Sequence, residues 1–260
     1  MTEPAPAAVT ACLVIIGNEI LSGRTQDINL NYIARGLTEV GVQLTEARVI
    51  PDVRETIIAT INEVRAKYDY VFTTGGIGPT HDDITAECVA AAFGVDLILH
   101  PEAKRRLEAH YSARGIEFNE ARRRMAHVPD GASLIDNPVS TAPGFRIGNV
   151  HVMAGVPKIM QAMFDGIRHG LKGGPKMLSR TITCGLAEGT VAHDLGLIQA
   201  DYPAVEIGSY PFWTGGGGFG VSLVLRSTDP VALAHAGEAV IAMIRGFGGE
   251  PVEREPEIKE

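Results

Sequence analysis

The sequence predicts an α/β fold: a mainly parallel sheet with helices on both faces, followed by a small α+β second domain. Short apolar runs alternate with amphipathic stretches over residues 11–170, a pattern typical of strands joined by crossover helices. A glycine-rich turn separates a strand-like run from a helical segment within residues 70–93. A Lys-Gly-Gly-Pro break at residues 172–175 then ends the alternation.

The elements of the first domain follow from periodicity and from the residues that end helices. The first helix, 28–40, has its apolar residues on one face and stops before Gly41. Pro101 opens a later helix at a position that suits proline. The predicted strands are 11–16, 43–50, 70–74, 95–99 and 150–153, and the predicted helices are 28–40, 53–68, 83–93, 101–114, 120–126 and 158–170.

After the break the order becomes β-α-β-β-α, which suits a small sheet with one exposed face. The predicted strands are 177–184, 205–210 and 219–226, the helices are 190–199 and 230–245, and Gly215–Gly218 is predicted to form a hairpin turn. The predicted organisation is a flexible N-terminus at 1–10, a first domain at 11–171, a second domain at 176–247 and a disordered, charged tail at 248–260.

Composition restricts the class of partner. The 260 residues carry a net charge of −8, and nucleic acid is therefore not expected to bind, since phosphate neutralisation needs a basic surface. The basic clusters at 104–106 and 122–124 are interpreted as mostly solvated helix faces, of which only one or two residues would need to reach a substrate phosphate. Three scattered cysteines, no basic signal-peptide start and no long apolar run favour a reduced, cytoplasmic protein without a membrane partner.

The glycine-rich turn is the strongest indication of a ligand site. Gly75, Gly76 and Gly78 let the backbone approach a ligand, and Thr80 adds a hydroxyl. The helix start that follows offers free N–H groups to a phosphate. Asp82 and Asp83 would repel that phosphate unless they bind a metal or a ligand N–H, or serve as helix caps.

Four ordered motifs carry a family resemblance. The glycine turn is similar to that of the molybdopterin-binding family, which has the MoaB/Mog fold. Residues 17–24 with Asn29, then 137–145 and 155–158, resemble the CinA (competence/damage-inducible protein A) branch and the pterin-binding-like domain of eukaryotic FAD synthases. Residues 177–245 resemble the second domain of CinA proteins. Ala154 stands where the family usually has proline, but Gly155 and Pro157 still define the turn.

The resemblance implies roles for individual residues. Asp83 would hold a divalent cation of Mg or Co type or position an attacking group, with Asp82 as a further metal ligand and Asp52 as a second catalytic carboxylate. The remaining implied ligand contacts are Glu19, Asn29, Ser140, Thr141, Gly155 and Lys158. Structural alternatives remain open: either aspartate of the pair as a helix cap, Asp52 with Glu55 as a capping box, and Asn29 as a helix-start residue.

The function that the resemblance implies is metal-dependent hydrolysis of a pyrophosphate link, with ADP-ribose as the first expected substrate and FAD as the second. Adenylylation of molybdopterin and non-catalytic binding of a nucleotide or pterin are the alternatives. The deamidase domain of many CinA proteins is absent from these 260 residues, and nicotinamide mononucleotide deamidation is therefore not expected. The resemblance also implies a homodimer.

Overall fold

The computed structural model describes residues 8–214 and 217–254. The chain divides between Gly174 and Pro175 into two compact units. Elements of the first unit are β1 (Val9–Ile16), α1 (Asn18–Leu21), α2 (Asn29–Glu39), β2 (Val42–Ile50), α3 (Arg54–Lys67), β3 (Tyr70–Thr74), α4 (Thr85–Phe93), β4 (Leu97–Leu99), α5 (Pro101–Ser112), α6 (Glu120–Arg124), β5 (His127–Pro129), β6 (Ser133–Ile135), β7 (Gly144–Ile147), β8 (Val150–Met153) and α7 (Pro157–Arg168).

The first unit is built on a six-stranded sheet in the order β2-β1-β3-β8-β7-β6. The four strands from β2 to β8 in that order pair in parallel, whereas β7 and β6 add antiparallel pairs at the other edge. The predicted mainly parallel sheet is therefore confirmed. Because β1, β2, β3 and β8 run in the same direction, the loops that follow them gather at one edge, where ligands bind in such sheets.

Alternating side chains of β1 enter two separate cores, which explains why helices cover both faces. Cys12, Val14 and Ile16 pack in one core with residues of α3 and α4. Leu13 and Ile15 pack in the other with residues of α2 and α7. All five side chains are almost completely buried. The period-2 alternation of a strand thus fixes the three-layer arrangement that the sequence predicted.

The strands β5, β6 and β7 were not predicted. Each has only three or four residues, too few to show a period. Strand β5 exists only through its pairing with β4, which precedes α5 and α6 in the chain, in a separate two-stranded sheet, whereas β7 forms a hairpin with the adjacent β8. The two-stranded ribbon of β4 and β5 borders the candidate site.

The second unit is a four-stranded antiparallel sheet with two helices. Its elements are β9 (Leu178–Cys184), α8 (Glu188–Asp201), β10 (Glu206–Trp213), β11 (Phe219–Ser227), α9 (Pro230–Gly246) and β12 (Val252–Arg254), with strand order β10-β11-β9-β12. Residues of both helices and of the sheet share one core. The small α+β second domain is confirmed.

The prediction of a disordered tail at 248–260 was wrong for part of that range. Strand β12 pairs with β9, and Glu253 forms an ion pair with Arg180. The charged composition concealed this strand, because its stabilisation comes from a distant partner. The rest of the tail at 255–260, most of the predicted flexible N-terminus at 1–7, and Gly215 and Gly216 of the predicted hairpin turn lie outside the described residues. No described helix has the length and apolar character needed to cross a membrane.

His151 of β8 is a buried histidine in the first unit. It is 3% exposed, and its ring stacks on Phe72, with ring centroids 5.1 Å apart. Its Nδ1 atom is buried without a hydrogen-bond partner among the described residues. Burial, assisted by the charge of Arg146, lowers the pKa of His151 to about 4. The folded protein therefore keeps this ring neutral at physiological pH.

We expect the free energy of unfolding to decrease as the pH falls from about 6.5 to about 4, because only the unfolded chain takes up a proton at His151 in this interval. The full contribution is on the order of 3 kcal/mol. Urea unfolding at a series of pH values measures it. His151→Phe should flatten the slope relative to the wild type, whereas His169→Gln, at an exposed histidine, should leave it unchanged. Equal slopes in all three proteins would contradict the prediction.

Candidate functional site

The turn after β3 has a backbone that only glycine accommodates without strain. Gly75 and Gly76 have φ angles of 102° and 67°, values that disfavour side chains. A Cβ atom on Gly75 would lie 2.1 Å from the carbonyl oxygen of Ile16, at the end of β1. Thr85, which is completely buried, holds the turn from the start of α4: its N–H donates to the Gly76 carbonyl at 3.0 Å and its hydroxyl to the Gly75 carbonyl at 3.1 Å.

The next amides of this turn are unpaired. The N–H groups of Gly76, Ile77 and Gly78 donate to no acceptor in the part of the chain that the structure describes. The N–H groups of Gly155 and Val156, in the loop between β8 and α7, are also without a described acceptor. The two loops are adjacent, since a Cβ atom on Gly155 would lie 3.2 Å from the Cα atom of Gly75. Successive free amides in such loops form concave sites for anions.

Asp83 lies in the turn before α4 rather than inside a helix. Helix α4 begins at Thr85, not at residue 83, and its N-cap residue, Ile84, makes no side-chain capping bond. The capping alternative for Asp82 and Asp83 was therefore wrong. One oxygen of Asp83, Oδ2, accepts from the N–H and the hydroxyl of Thr80 at 2.7 and 2.6 Å.

This arrangement gives Thr80 a different role from the predicted phosphate contact, because both of its donors are already directed to Asp83. The other oxygen of Asp83, Oδ1, accepts no hydrogen bond from the described residues. Asp82 is exposed, and its carboxylate has a contact with His81 at 3.9 Å but accepts no hydrogen bond from the described residues. The structure thus distinguishes two neighbouring carboxylates, of which only Asp83 is oriented by its own turn.

Asp52 and Glu19 lie at the same sheet edge, after β2 and β1. The capping box predicted for Asp52 and Glu55 was wrong: α3 starts at Arg54, and no side chain caps it. Asp52 Oδ2 instead accepts from the N–H of Asn18 at 2.8 Å, and it thereby joins the loops that follow β1 and β2. Glu19 is exposed and folds over Gly17, where a Cβ atom would lie 2.6 Å from Glu19 Oε2.

Asn29 connects the start of α2 to the loop after β8. It is 4% exposed, and its Nδ2 atom donates to the Gly155 carbonyl at 2.8 Å. Its Oδ1 atom is buried without a hydrogen-bond partner among the described residues. Asn29 therefore holds the loop that carries the free amides of Gly155 and Val156, and it retains one unused acceptor. Lys158, the second residue of α7, is exposed.

The segment after β6 is folded by Asn137. Its amide bonds to the Ser140 hydroxyl and the Ala142 carbonyl, at 2.6 and 2.8 Å. Thr141 has a positive φ angle of 70°, rare for a branched side chain, and its hydroxyl lies 2.6 Å from Nδ1 of His110. Ser140 and Thr141 are thus committed to a rigid loop, and the chain that leaves this loop reaches the cavity described next.

A cavity of about 400 Å³ opens beside the glycine turn, within the size range of small-molecule sites. Its walls come from the turn, from α4, from the ribbon of β4 and β5, and from the segment that enters β7. The lining residues are Gly76, Ile77, Gly78, Asp83, Ala86, Glu87, Leu97, Arg124, Met125, His127, Val128, Pro143 and Phe145. Of the predicted site residues, the cavity brings together Gly76, Gly78 and Asp83.

Sequence reasoning missed the opposite wall. Arg124 was noticed in the basic cluster at 122–124 but was interpreted with its neighbours as part of a solvated face. Met125, His127 and Phe145 carried no motif. The strands β5 and β7, which bring these residues to the cavity, are too short to be seen in the sequence. The one available signal was the run of three arginines at 122–124 itself.

The divalent cation that the resemblance implies would need oxygen ligands at this site. No three or more His, Cys, Asp or Glu side chains converge on a possible metal position within residues 8–214 and 217–254. A site formed by protein ligands alone is therefore not present there. Mg²⁺, however, is often held by one or two carboxylates together with substrate phosphates. The free Oδ1 atom of Asp83, beside unpaired amides, fits such a shared site.

Comparison with known proteins agrees with this architecture. A family profile described as "Probable molybdopterin binding domain" matches residues 12–171, and one described as "FAD synthase, middle domain" matches residues 176–248. The chain therefore belongs to the molybdopterin-binding domain family, and this membership implies a small-molecule ligand.

Individual relatives place the chain within that family. A protein from Pyrobaculum calidifontis is 37% identical over 211 residues, which cover 78% of this chain and 80% of that protein. A CinA-like protein from Desulfosudis oleivorans is 34% identical over 207 residues, 75% of this chain but 50% of its own length. The crystal structure of the protein CinA with unknown function from Thermoplasma acidophilum has a TM-score of 0.57 and 34% identity, and it covers 63% of this chain and 98% of its own. The chain is thus CinA-like.

Two alanine variants, at glycines that have the same φ angle, test the close approach of Thr85 to the turn. Gly76 and Gly94 both have a φ angle of 67°, but a Cβ atom on Gly76 would lie 2.1 Å from Thr85 Oγ1, whereas one on Gly94 would meet nothing within 4 Å. We expect Gly94→Ala to lower the free energy of unfolding by about 1 kcal/mol. Gly76→Ala should cost about 3 kcal/mol, because the clash adds to the φ strain. Equal losses in urea unfolding would show that the contact is unimportant.

Proposed function

We propose that this protein hydrolyses the phosphoanhydride bond of a nucleoside diphosphate derivative, with ADP-ribose as the first substrate to test and FAD as the second. The observation that carries the proposal is the pairing of unused amides with an oriented carboxylate in one cavity: the N–H groups of Gly76 and Gly78 face no described acceptor, and Asp83 has one fixed and one free oxygen. Anhydride cleavage needs both an anion cradle and a group that manages water or a cation.

In the proposed reaction the amides of Gly76, Ile77 and Gly78 bind the non-bridging oxygens of one phosphoryl group. Asp83, held by Thr80 through Oδ2, would present Oδ1 to the attacking water or to a divalent cation. The cation, when bound, supplies Lewis-acid polarisation of the phosphoryl oxygens. Water adds to phosphorus, the bridging P–O bond breaks, and ADP-ribose yields AMP and ribose 5-phosphate, with the released protons passing to solvent.

Other predicted residues take supporting parts. Asp52 orients the segment around Asn18 through their hydrogen bond, and Asn29 fixes the loop that carries the amides of Gly155 and Val156. Lys158, at the start of α7, adds positive charge near those amides. Asp52, Asn29 and Lys158 do not line the cavity, and each is therefore assigned to position the site rather than to take part in bond breaking.

Pterin binding without hydrolysis is the second candidate. It is favoured by the family match over residues 12–171 and by the apolar part of the cavity, where Ile77, Met125 and Phe145 could enclose a flat ring. Binding of a pterin by calorimetry, with no turnover of ADP-ribose or FAD under any divalent ion, would select this function.

Release of AMP from ADP-ribose, measured by chromatography, tests the hydrolase. Parallel reactions contain Mg²⁺, Mn²⁺ or Co²⁺, or a chelator. We expect Asp83→Asn to reduce the rate by at least about 100-fold, because the variant can neither hold a cation nor accept a proton. The matched control is Asp130→Asn, at an exposed aspartate outside the cavity, which should retain the wild-type rate. Activity that survives in Asp83→Asn would contradict the mechanism, and activity that the chelator leaves intact would contradict the part assigned to the cation.

Thr80 is expected to act through Asp83 as a positioning residue. Thr80→Val keeps the N–H donor but removes the hydroxyl that bonds to Oδ2. We expect kcat to fall about 10-fold with little change in KM, since positioning partners of a catalytic group typically contribute factors of this size. Thr80→Ser should restore kcat. A change in KM alone, or failure of serine to rescue a folded variant, would instead indicate direct phosphate contact or packing.

A further inference from the structure

Some of the charged side chains that line the cavity have partners in the protein, and Arg124 has none among the described residues. Two acids, Asp83 and Glu87, and two basic side chains, Arg124 and His127, face it. Glu87 is already paired with Arg54 of α3, at 3.1 Å, and Asp83 accepts two hydrogen bonds from its own turn. In the part of the chain that the structure describes, the guanidinium of Arg124 has neither a hydrogen bond nor an ion pair.

The other two arginines of α6 differ from Arg124 in their contacts or in their position. Arg122 donates to the carbonyl of Glu117 and lies over the ring of Tyr111, 5.0 Å from its centroid. Arg123 is exposed and does not line the cavity. Of the three arginines, Arg124 is the one that lines the cavity. An arginine whose donors are all available is a strong potential ligand for a phosphate.

The backbone that carries Arg124 is fixed. Helix α6 ends next to Ala126, which is completely buried with Ala103 and Leu107 of α5 in a small core. The following strand, β5, pairs with β4, and the ring of His127 lies 3.2 Å from the carbonyl oxygen of Arg123. The position of Arg124 relative to the cavity is therefore set by packing and by strand pairing, although its side chain is exposed.

We propose that Arg124 is the second anion-binding group of the cavity and that the site selects ligands with two linked phosphates. This inference rests on the proposed function for the identity of the first anion site: the amides of Gly76–Gly78 bind one phosphate, and Arg124 binds the next by a bidentate contact. The two N–H edges of a guanidinium match two oxygens of one phosphate. The row of amides can bind one phosphate group, and the second phosphate therefore needs another partner. Ligands with one phosphate would use only half of this arrangement.

The test measures binding of inorganic pyrophosphate and inorganic phosphate to the full chain by calorimetry, with Mg²⁺ present and absent. We expect the wild type to bind pyrophosphate more tightly than phosphate. Arg124→Gln should weaken pyrophosphate binding about 10-fold or more, the usual scale of a charge-assisted contact, and should change phosphate binding little. Arg124→Lys should fall between, because lysine keeps the charge without the fork.

The matched control is Arg123→Gln, which removes the same charge from the adjacent exposed position and should leave the preference for pyrophosphate unchanged. A wild type without this preference, or equal effects of Arg124→Gln and Arg123→Gln, would overturn the inference. Thermal unfolding of each variant checks that it is folded; Arg124→Lys supplies the measurement if Arg124→Gln does not fold.

The same proteins separate this inference from the proposed hydrolase. If AMP never forms from ADP-ribose while the pyrophosphate preference persists and depends on Arg124, the proposed function fails and the diphosphate site stands. If the wild type cleaves ADP-ribose and Arg124→Gln does so with unchanged KM and kcat, the hydrolase stands and the role of Arg124 fails.

Discussion

The two hydrogen bonds from Thr85 to the turn after β3 determine the geometry on which the site depends. They occupy the carbonyl groups of Gly75 and Gly76, and both glycines have positive φ angles. As a result, the following amides are left without a described acceptor. An alanine in this turn would meet Thr85 or the end of β1. The packing of β1, β3 and α4 is therefore sufficient to require glycine at these positions.

Several features of the fold could be predicted because they are encoded locally. Strand β1 places successive side chains in two cores, and this appears in the sequence as a continuous apolar run between two polar segments. Helix α2 has its buried residues, Ile33 and Leu37, at helical spacing. By contrast, β5 and β12 are stabilised by partners far along the chain, and the local sequence of such a short strand cannot reveal this pairing.

The part of the site that is contiguous in sequence could be predicted, and the part that depends on the fold could not. Gly76, Gly78 and Asp83 belong to one contiguous motif, and they do meet at the cavity. The roles of Thr80, Asp52 and Asn29 depend on which atom each side chain contacts, and spacing alone cannot supply this. Asp52, for example, has the spacing of a capping box yet bonds to the backbone of Asn18 across two loops. Arg124 could be recognised only once the ribbon of β4 and β5 had brought α6 to the cavity.

The distribution of charge in the cavity has a consequence for selectivity. An anion cradle beside an acidic pair would repel phosphate if both acids were free, but Glu87 is neutralised by Arg54 and one oxygen of Asp83 is engaged by Thr80. The remaining free charges are therefore Asp83 Oδ1 and the guanidinium of Arg124, on different walls of the cavity. Such a separated pair favours a ligand that brings a negative group to the arginine and a shared cation or water to the aspartate. The phosphoanhydride proposed above would meet both requirements within one molecule, with one phosphate for each wall, whereas an uncharged ring would meet neither.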